Sequence, residues 1–242
     1  MKKKNYFFLP VSVPLFILFL AFPFVALAFL SLLEISPGNL LQQVLGISVL
    51  QAVVLYLTVL MAGIFNVPVH EFKSRRDSPE KTVPYLGSKY TLPVWHGHNT
   101  VVSLNLGGCI VALIAAIYLA ASLPVIPIVL SIIAVSLGVF LLSRPSRSIG
   151  FYVPMYVPAL LAVGISAVAL HVFGAGLENL ARLSIITGVT GSIVGTTLLN
   201  LPRLRKIGTS FISVGGLGCF DGIVLNALVS TIIACAIVSL PL

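Results

Sequence analysis

Charge is what this sequence lacks. Only 8% of its 242 residues are Asp, Glu, Lys or Arg, against roughly a quarter in ordinary globular domains. The chain is 58% hydrophobic with a mean hydropathy of +1.13. Such a chain cannot cover a water-facing surface, so its composition excludes an ordinary soluble domain and points to an integral membrane protein in contact with the lipid bilayer. Acids are scarcer than bases, six Asp and Glu against 14 Lys and Arg. The bases occur as short clusters between apolar runs and not along one face, so they read as topology signals, and no nucleic-acid partner is expected. Cysteine is scarce too. Cys109, Cys219 and Cys235 lie in apolar segments, an odd count without ligand spacing, which leaves no support for a disulfide or zinc framework.

What the chain does have is apolar runs. Lys2 to Lys4 precede one over 6–33, long enough to cross about 30 Å of hydrocarbon at 1.5 Å per residue. Ala26-Leu27-Ala28 resembles a signal-peptide cleavage site, but the run exceeds the roughly 7 to 15 residues of a signal h-region, so it reads as a first span. Further runs cover 40–67, 99–122, 124–142, 153–173, 182–201 and 210–240. The expected fold is all-α: a single polytopic transmembrane bundle of about seven spans over 1–242. Pro10, Pro14, Pro23, Pro127 and Pro158 imply kinks within it. Gly191-x-x-x-Gly195 and Gly107-Gly108 imply close helix packing.

Between the second and third runs, 69–98 reads as a basic cytoplasmic loop. It carries Lys73, Arg75, Arg76, Lys81 and Lys89, with Trp95, Tyr85 and Tyr90 of the residue types that anchor at the headgroup level. His96 and His98, with His70 and Glu71, have the residue types of a metal site. Their spacing matches no motif, so they read as surface histidines, and no cofactor is expected. On this seven-span scheme the N-terminus and the loops after spans two, four and six hold 13 of the 14 Lys and Arg, and the other side holds only Arg182. That asymmetry places the N-terminus in the cytoplasm and the C-terminus outside, in a multi-pass protein of the cell membrane.

Asp221 is the one acid in a membrane run. It follows Gly215, Gly216 and Gly218 and precedes an apolar stretch. A charged side chain at mid-bilayer costs about 2.5 to 3.5 kcal/mol on insertion scales, and such residues face protein or water. If the glycines are unwound, Asp221 and Asn226 share a polar cavity with Thr196, Thr197 and Asn200 of span six. The competing structural role is a neutral acid donating one hydrogen bond across a helix pair.

Five segments also carry a resemblance. Phe65-Asn66-Val67-Pro68, Leu104-Asn105-Leu106-Gly107-Gly108, Ser143-Arg144-Pro145 with 150–158, Gly195-Thr-Thr-Leu-Leu-Asn-Leu201, and 213–223 resemble, in this order, an uncharacterised prokaryotic membrane family, domain of unknown function 1614. That family has Gly-Ala-Asp where this chain has Gly195-Thr196-Thr197, and a Gly-rich Phe-Asp-Gly that Phe220-Asp221-Gly222 matches. Two aspartates on neighbouring spans are in turn similar to presenilin and signal peptide peptidase. That resemblance implies intramembrane aspartyl proteolysis by two carboxylates sharing a proton. Thr197 breaks this mechanism, since a threonine can neither share the proton nor activate water as a carboxylate does. The expected function is therefore binding or passage of a small solute or ion at the Asp221 site. An inactive protease-like protein is the alternative, and a scaffold whose basic loop meets anionic lipid is a third reading.

Overall fold

The computed structural model describes residues 13–32, 38–39, 42, 45–73, 82–85, 88–91, 99–146, 150–154, 156–207, 211–216, 227 and 229–233. The fold is mostly helical. Its helices are α1 (Val13–Leu32), α2 (Val49–Ala62), α3 (Leu106–Ala120), α4 (Val125–Leu142), α5 (Tyr156–Phe173), α6 (Leu180–Ile193) and α7 (Leu201–Ile207). Two of them, α4 and α5, are long and apolar enough to cross a membrane; at 18 residues each they extend about 27 Å.

Residues 229–233 are also helical, within the run expected as span seven.

Helix starts follow local chemistry. Ser48 caps α2 with a capping box: its hydroxyl accepts from Gln51 N–H while the Gln51 side chain accepts from Ser48 N–H. Pro127 and Pro158 fall in the first turns of α4 and α5, where a missing N–H loses no intrahelical bond. The kinks expected at these two prolines are therefore not required; Pro23 alone lies well inside a described helix.

α6 is the centre of the bundle. It packs against α3, α4 and α5, and most of its residues are buried, including Ser184, Thr187 and Ser192. Ser166 and Thr187 hydroxyls meet at 3.1 Å across α5 and α6. The small-residue seam expected at Gly191 and Gly195 is real, and its partner is α4: a Cβ at Gly191 would stand 2.6 Å from Val135 Cγ1, and one at Gly195 2.6 Å from Ser136 O. Gly195→Ala, which meets a backbone carbonyl, is expected to destabilise by about 2 to 3 kcal/mol, and Gly191→Ala, which meets a methyl, by less. Thermal unfolding of the two variants in detergent would check this order.

The outward faces of the helices are apolar as well as the core. Outward faces carry Ile114 and Ile117 on α3, Ile126, Ile133 and Leu141 on α4, and Val168 and Val172 on α5, whereas Ser131, Ser136, Ser166 and Ser184 are buried. Buried hydroxyls inside an apolar exterior fit a lipid-facing bundle.

The expectation of an all-α chain is corrected by seven strands among the described residues. β1 (Asn66–Lys73), β4 (Asn99–Asn105) and β7 (Phe211–Val214) form one sheet, with β1 antiparallel and β7 parallel to the central β4. β2 (Thr82–Tyr85) pairs with β3 (Ser88–Thr91), and β5 (Arg144–Ser146) with β6 (Gly150–Tyr152), each antiparallel. The loop expected over 69–98 thus contains most of β1 and a hairpin. The run expected as span two turns into strand at Asn66, span three is strand until Asn105, and span seven opens as strand. The reason is physical: Thr100, Val101 and Val102, like Phe211 and Ile212, are β-branched or aromatic, and a short apolar run has the same hydropathy in a buried strand as in a helix.

The helices run alternately. The α3–α4 link is four residues, α4 and α6 are parallel through the Gly191 and Gly195 contacts, and α5 and α6 antiparallel. The end of α2, the start of α3, the end of α4, the start of α5 and the end of α6 therefore share one end of the bundle, together with the sheet. Arg182 lies at the opposite end, its Nη1 3.4 Å from Ser122 Oγ.

Candidate functional site

Two buried polar clusters occupy the sheet end of the bundle. The first is built on Asn105, which ends β4 and caps α3. Its Oδ1 accepts from Gly108 N–H at 2.7 Å, and its Nδ2 donates to Gly63 O at 2.7 Å and to Asn66 Oδ1 at 3.4 Å. The Ser213 hydroxyl of β7 lies 2.5 Å from the same Asn66 oxygen and also reaches Gly216 O, its one proton shared between the two. Asn105 is fully buried and Asn66 2% exposed. With both Asn105 groups fixed by backbone partners, Asn105 presents an N–H to Asn66, so the Asn66 oxygen faces it and Asn66 Nδ2 has no partner among the described residues.

Glycines let these backbones meet. A Cβ at Gly107 would overlap Val59 O and Gly63 N of α2, and one at Gly108 would overlap Gly215 O. Gly215 and Gly216 follow β7 with φ of 88° and 107°, values that glycine alone adopts readily. The sequence placed both glycines inside a transmembrane run beside Asp221; they instead end a strand that lies against Gly108 and Cys109.

The second cluster lies where α6 widens. Over Val194–Leu198 the helix makes π turns, with Leu199 N–H bonded to Val194 O at 2.9 Å. Such turns recur at functional sites. Asn200, fully buried, donates through Nδ2 to Gly195 O at 3.0 Å, Thr196 O at 3.2 Å and Ser143 Oγ at 3.0 Å. Ser143 passes its own proton to Phe140 O, and Thr196 passes its proton to Ser192 O. Thr197, 7% exposed, stands 3.4 Å from Thr196 Oγ1, which leaves it the proton of that contact. Every donor here is committed, while Asn200 Oδ1 accepts from no group among the described residues. The second cluster therefore has a spare acceptor and the first a spare donor.

Val102, Cys109, Val189, Ile193, Leu204, Ile212 and Val214 form an apolar core that joins the elements carrying the two clusters. All five sequence segments singled out above contribute: three meet at Asn66, Asn105 and Ser213, and two at Ser143 and Asn200. A family model described as "Protein of unknown function (DUF1614)" matches residues 60–233, which spans all five. The chain belongs to the DUF1614 family.

No curated protein and no solved structure matches this DUF1614 chain at a significant level. Of the site residues expected from sequence, Thr196, Thr197 and Asn200 fall together in the second cluster, and Gly215 and Gly216 border the first. Asp221, Asn226, Gly218, His96 and His98 lie outside the described residues. Among the described residues no group of three His, Cys, Asp or Glu could hold a metal ion. Sequence reasoning missed Asn66, Asn105 and Ser213 as a unit. The available signal was Asn105 three residues before Gly108, an N-cap residue at the head of an apolar helix. A separate open groove of about 440 Å³ between α4 and α5, lined by Leu130, Gly164, Val168 and Phe173 among others, is almost wholly apolar.

Proposed function

We propose that this DUF1614 protein is a multi-pass protein of the cell membrane that binds or passes a small solute or ion through a polar site around Asp221. The proposed site includes Asn226, Thr196, Thr197, Asn200, Gly215, Gly216 and Gly218. The observation that carries this reading is that two amide groups at one end of an apolar-faced bundle, Asn200 Oδ1 and Asn66 Nδ2, are buried without a partner among the described residues. A buried polar group without a partner costs about 1 to 3 kcal/mol, a cost that a polar ligand or water relieves. In the sequence Asp221 follows Gly216, which borders the first cluster, by five residues.

About seven spans, with the N-terminus in the cytoplasm and the C-terminus outside, remain the proposed topology. Its support is that α2, α4 and α6 all end at the sheet side of the bundle, and the bases are concentrated in the sequence after each of them. Reconstitution into liposomes with flux measured for protons, Na+ and K+ tests the function. The parent should conduct at least one above protein-free vesicles, and Asp221→Asn should lower that flux tenfold or more. Equal flux from both proteins would refute a transport role at Asp221.

The alternative, an inactive relative of intramembrane aspartyl proteases, assigns Thr197 the position of a lost second acid. Peptide-bond cleavage gained in Thr197→Asp and absent in the parent would favour it; cleavage by neither favours the solute reading.

A further inference from the structure

The second polar cluster also organises the surface outside it. The Asn200 to Ser143 hydrogen bond ties the end of α6 to the end of α4, and two arginines follow immediately, Arg144 in β5 and Arg203 in α7. Arg203 N–H bonds to Asn200 O at 2.9 Å, and its guanidinium lies 4.6 Å from the centre of the Phe140 ring. That stacking holds the cation against the last turn of α4. Both arginines are exposed, and among the described residues neither has an acidic partner. Glu178, one of the two described acids, precedes α6 at the far end of the bundle, and Glu71 is in β1.

On the membrane reading proposed above, the surroundings fit a boundary. Tyr152 pairs in register with Arg144, and Tyr156 opens α5; both rings are exposed. Tyrosines at the headgroup level beside arginines mark the interface in membrane proteins. On the bundle side of the two arginines, Leu141 is 77% exposed, and Leu142 and Leu198 are about half exposed.

We propose that this end of the bundle binds an anionic phospholipid, its phosphate held by Arg144 and Arg203 and its acyl chains lying on Leu141, Leu142 and Leu198. Guanidinium groups suit the acceptor: their N–H forks match phosphate oxygens, and a cation held at the edge of an apolar surface attracts a negative headgroup whose tail is apolar. The proposal rests on the membrane reading above but not on the site at Asp221.

The test is thermal unfolding of the full chain in detergent micelles supplemented with phosphatidylglycerol, phosphatidylcholine or inorganic phosphate. Phosphatidylglycerol should raise Tm by about 4 to 8 °C relative to phosphatidylcholine. Arg144→Gln with Arg203→Gln should remove most of that difference, and Arg144→Lys with Arg203→Lys should keep part of it. A full phosphatidylglycerol shift in the double Gln variant would overturn the proposal, as would an equal shift from inorganic phosphate, which would mark a site for a soluble anion. Alkaline washing of membranes separates this failure from that of the membrane reading: chain retained in the pellet keeps the latter whatever the lipid result.

Discussion

Gly108→Ala is expected to abolish the folded protein. A methyl there would occupy the space of Gly215 O, and one at Gly107 would occupy that of Val59 O and Gly63 N. The obstructing atoms are backbone, so no rotamer change relieves the overlap; α3 would have to move away from β7 or from α2. Overpacking of a buried site costs about 1 to 3 kcal/mol when side chains give way, and a backbone clash belongs at or above the top of that range. Gly164→Ala is the control. A Cβ at Gly164 meets nothing within 4 Å, and alanine is favoured over glycine in a helix by about 1 kcal/mol. Monodisperse yield after detergent extraction should collapse for Gly108→Ala and be unchanged or higher for Gly164→Ala. A Gly108→Ala protein with the parent's Tm would mean that α3 and β7 do not cross at Gly108.

Asn105 is the second position where a single change should be costly. Asn105→Ala removes the cap on Gly108 N–H, about 1 kcal/mol, and strips Gly63 O of its donor, about 1 to 3 kcal/mol more. The expected loss is about 3 kcal/mol. Asn105→Asp separates the two contributions, because aspartate caps a helix as well as asparagine but has no N–H to offer Gly63 O or Asn66. If bridging between α2 and α3 is what matters, the Asp variant unfolds at least as early as the Ala variant. Recovery to near the parent Tm would instead reduce Asn105 to a local helix cap.

The parts of the fold that were legible in sequence are those set by unbroken hydropathy. The runs 124–142 and 153–173 end within a few residues of α4 and α5, because a long apolar stretch opened by proline admits only a helix. The small-residue spacing at Gly191 and Gly195 also identified a true contact, though not its partner. The sheet was not legible. Its strands are four to eight residues long, and its central pairing joins Val101 to Phe211, a choice of partner that no local pattern encodes. For the candidate site, Thr196, Thr197 and Asn200 stood out as polar residues closing an apolar run. Asn66 and Ser213 did not, since each lies at the edge of a run, where a polar residue is unremarkable. Their association depends on β1 and β7 flanking β4, a property of topology.

The parallel pairing of β4 with β7 has a consequence for biogenesis. β4 is made before α3, α4, α5 and α6, and its neighbour is made after all of them. A ribosome that has finished α6 has therefore produced a central strand with one flank still bare. A chain interrupted upstream of Phe211 would keep that edge open to any extended segment nearby, and the arrival of Phe211–Val214 is what seals it.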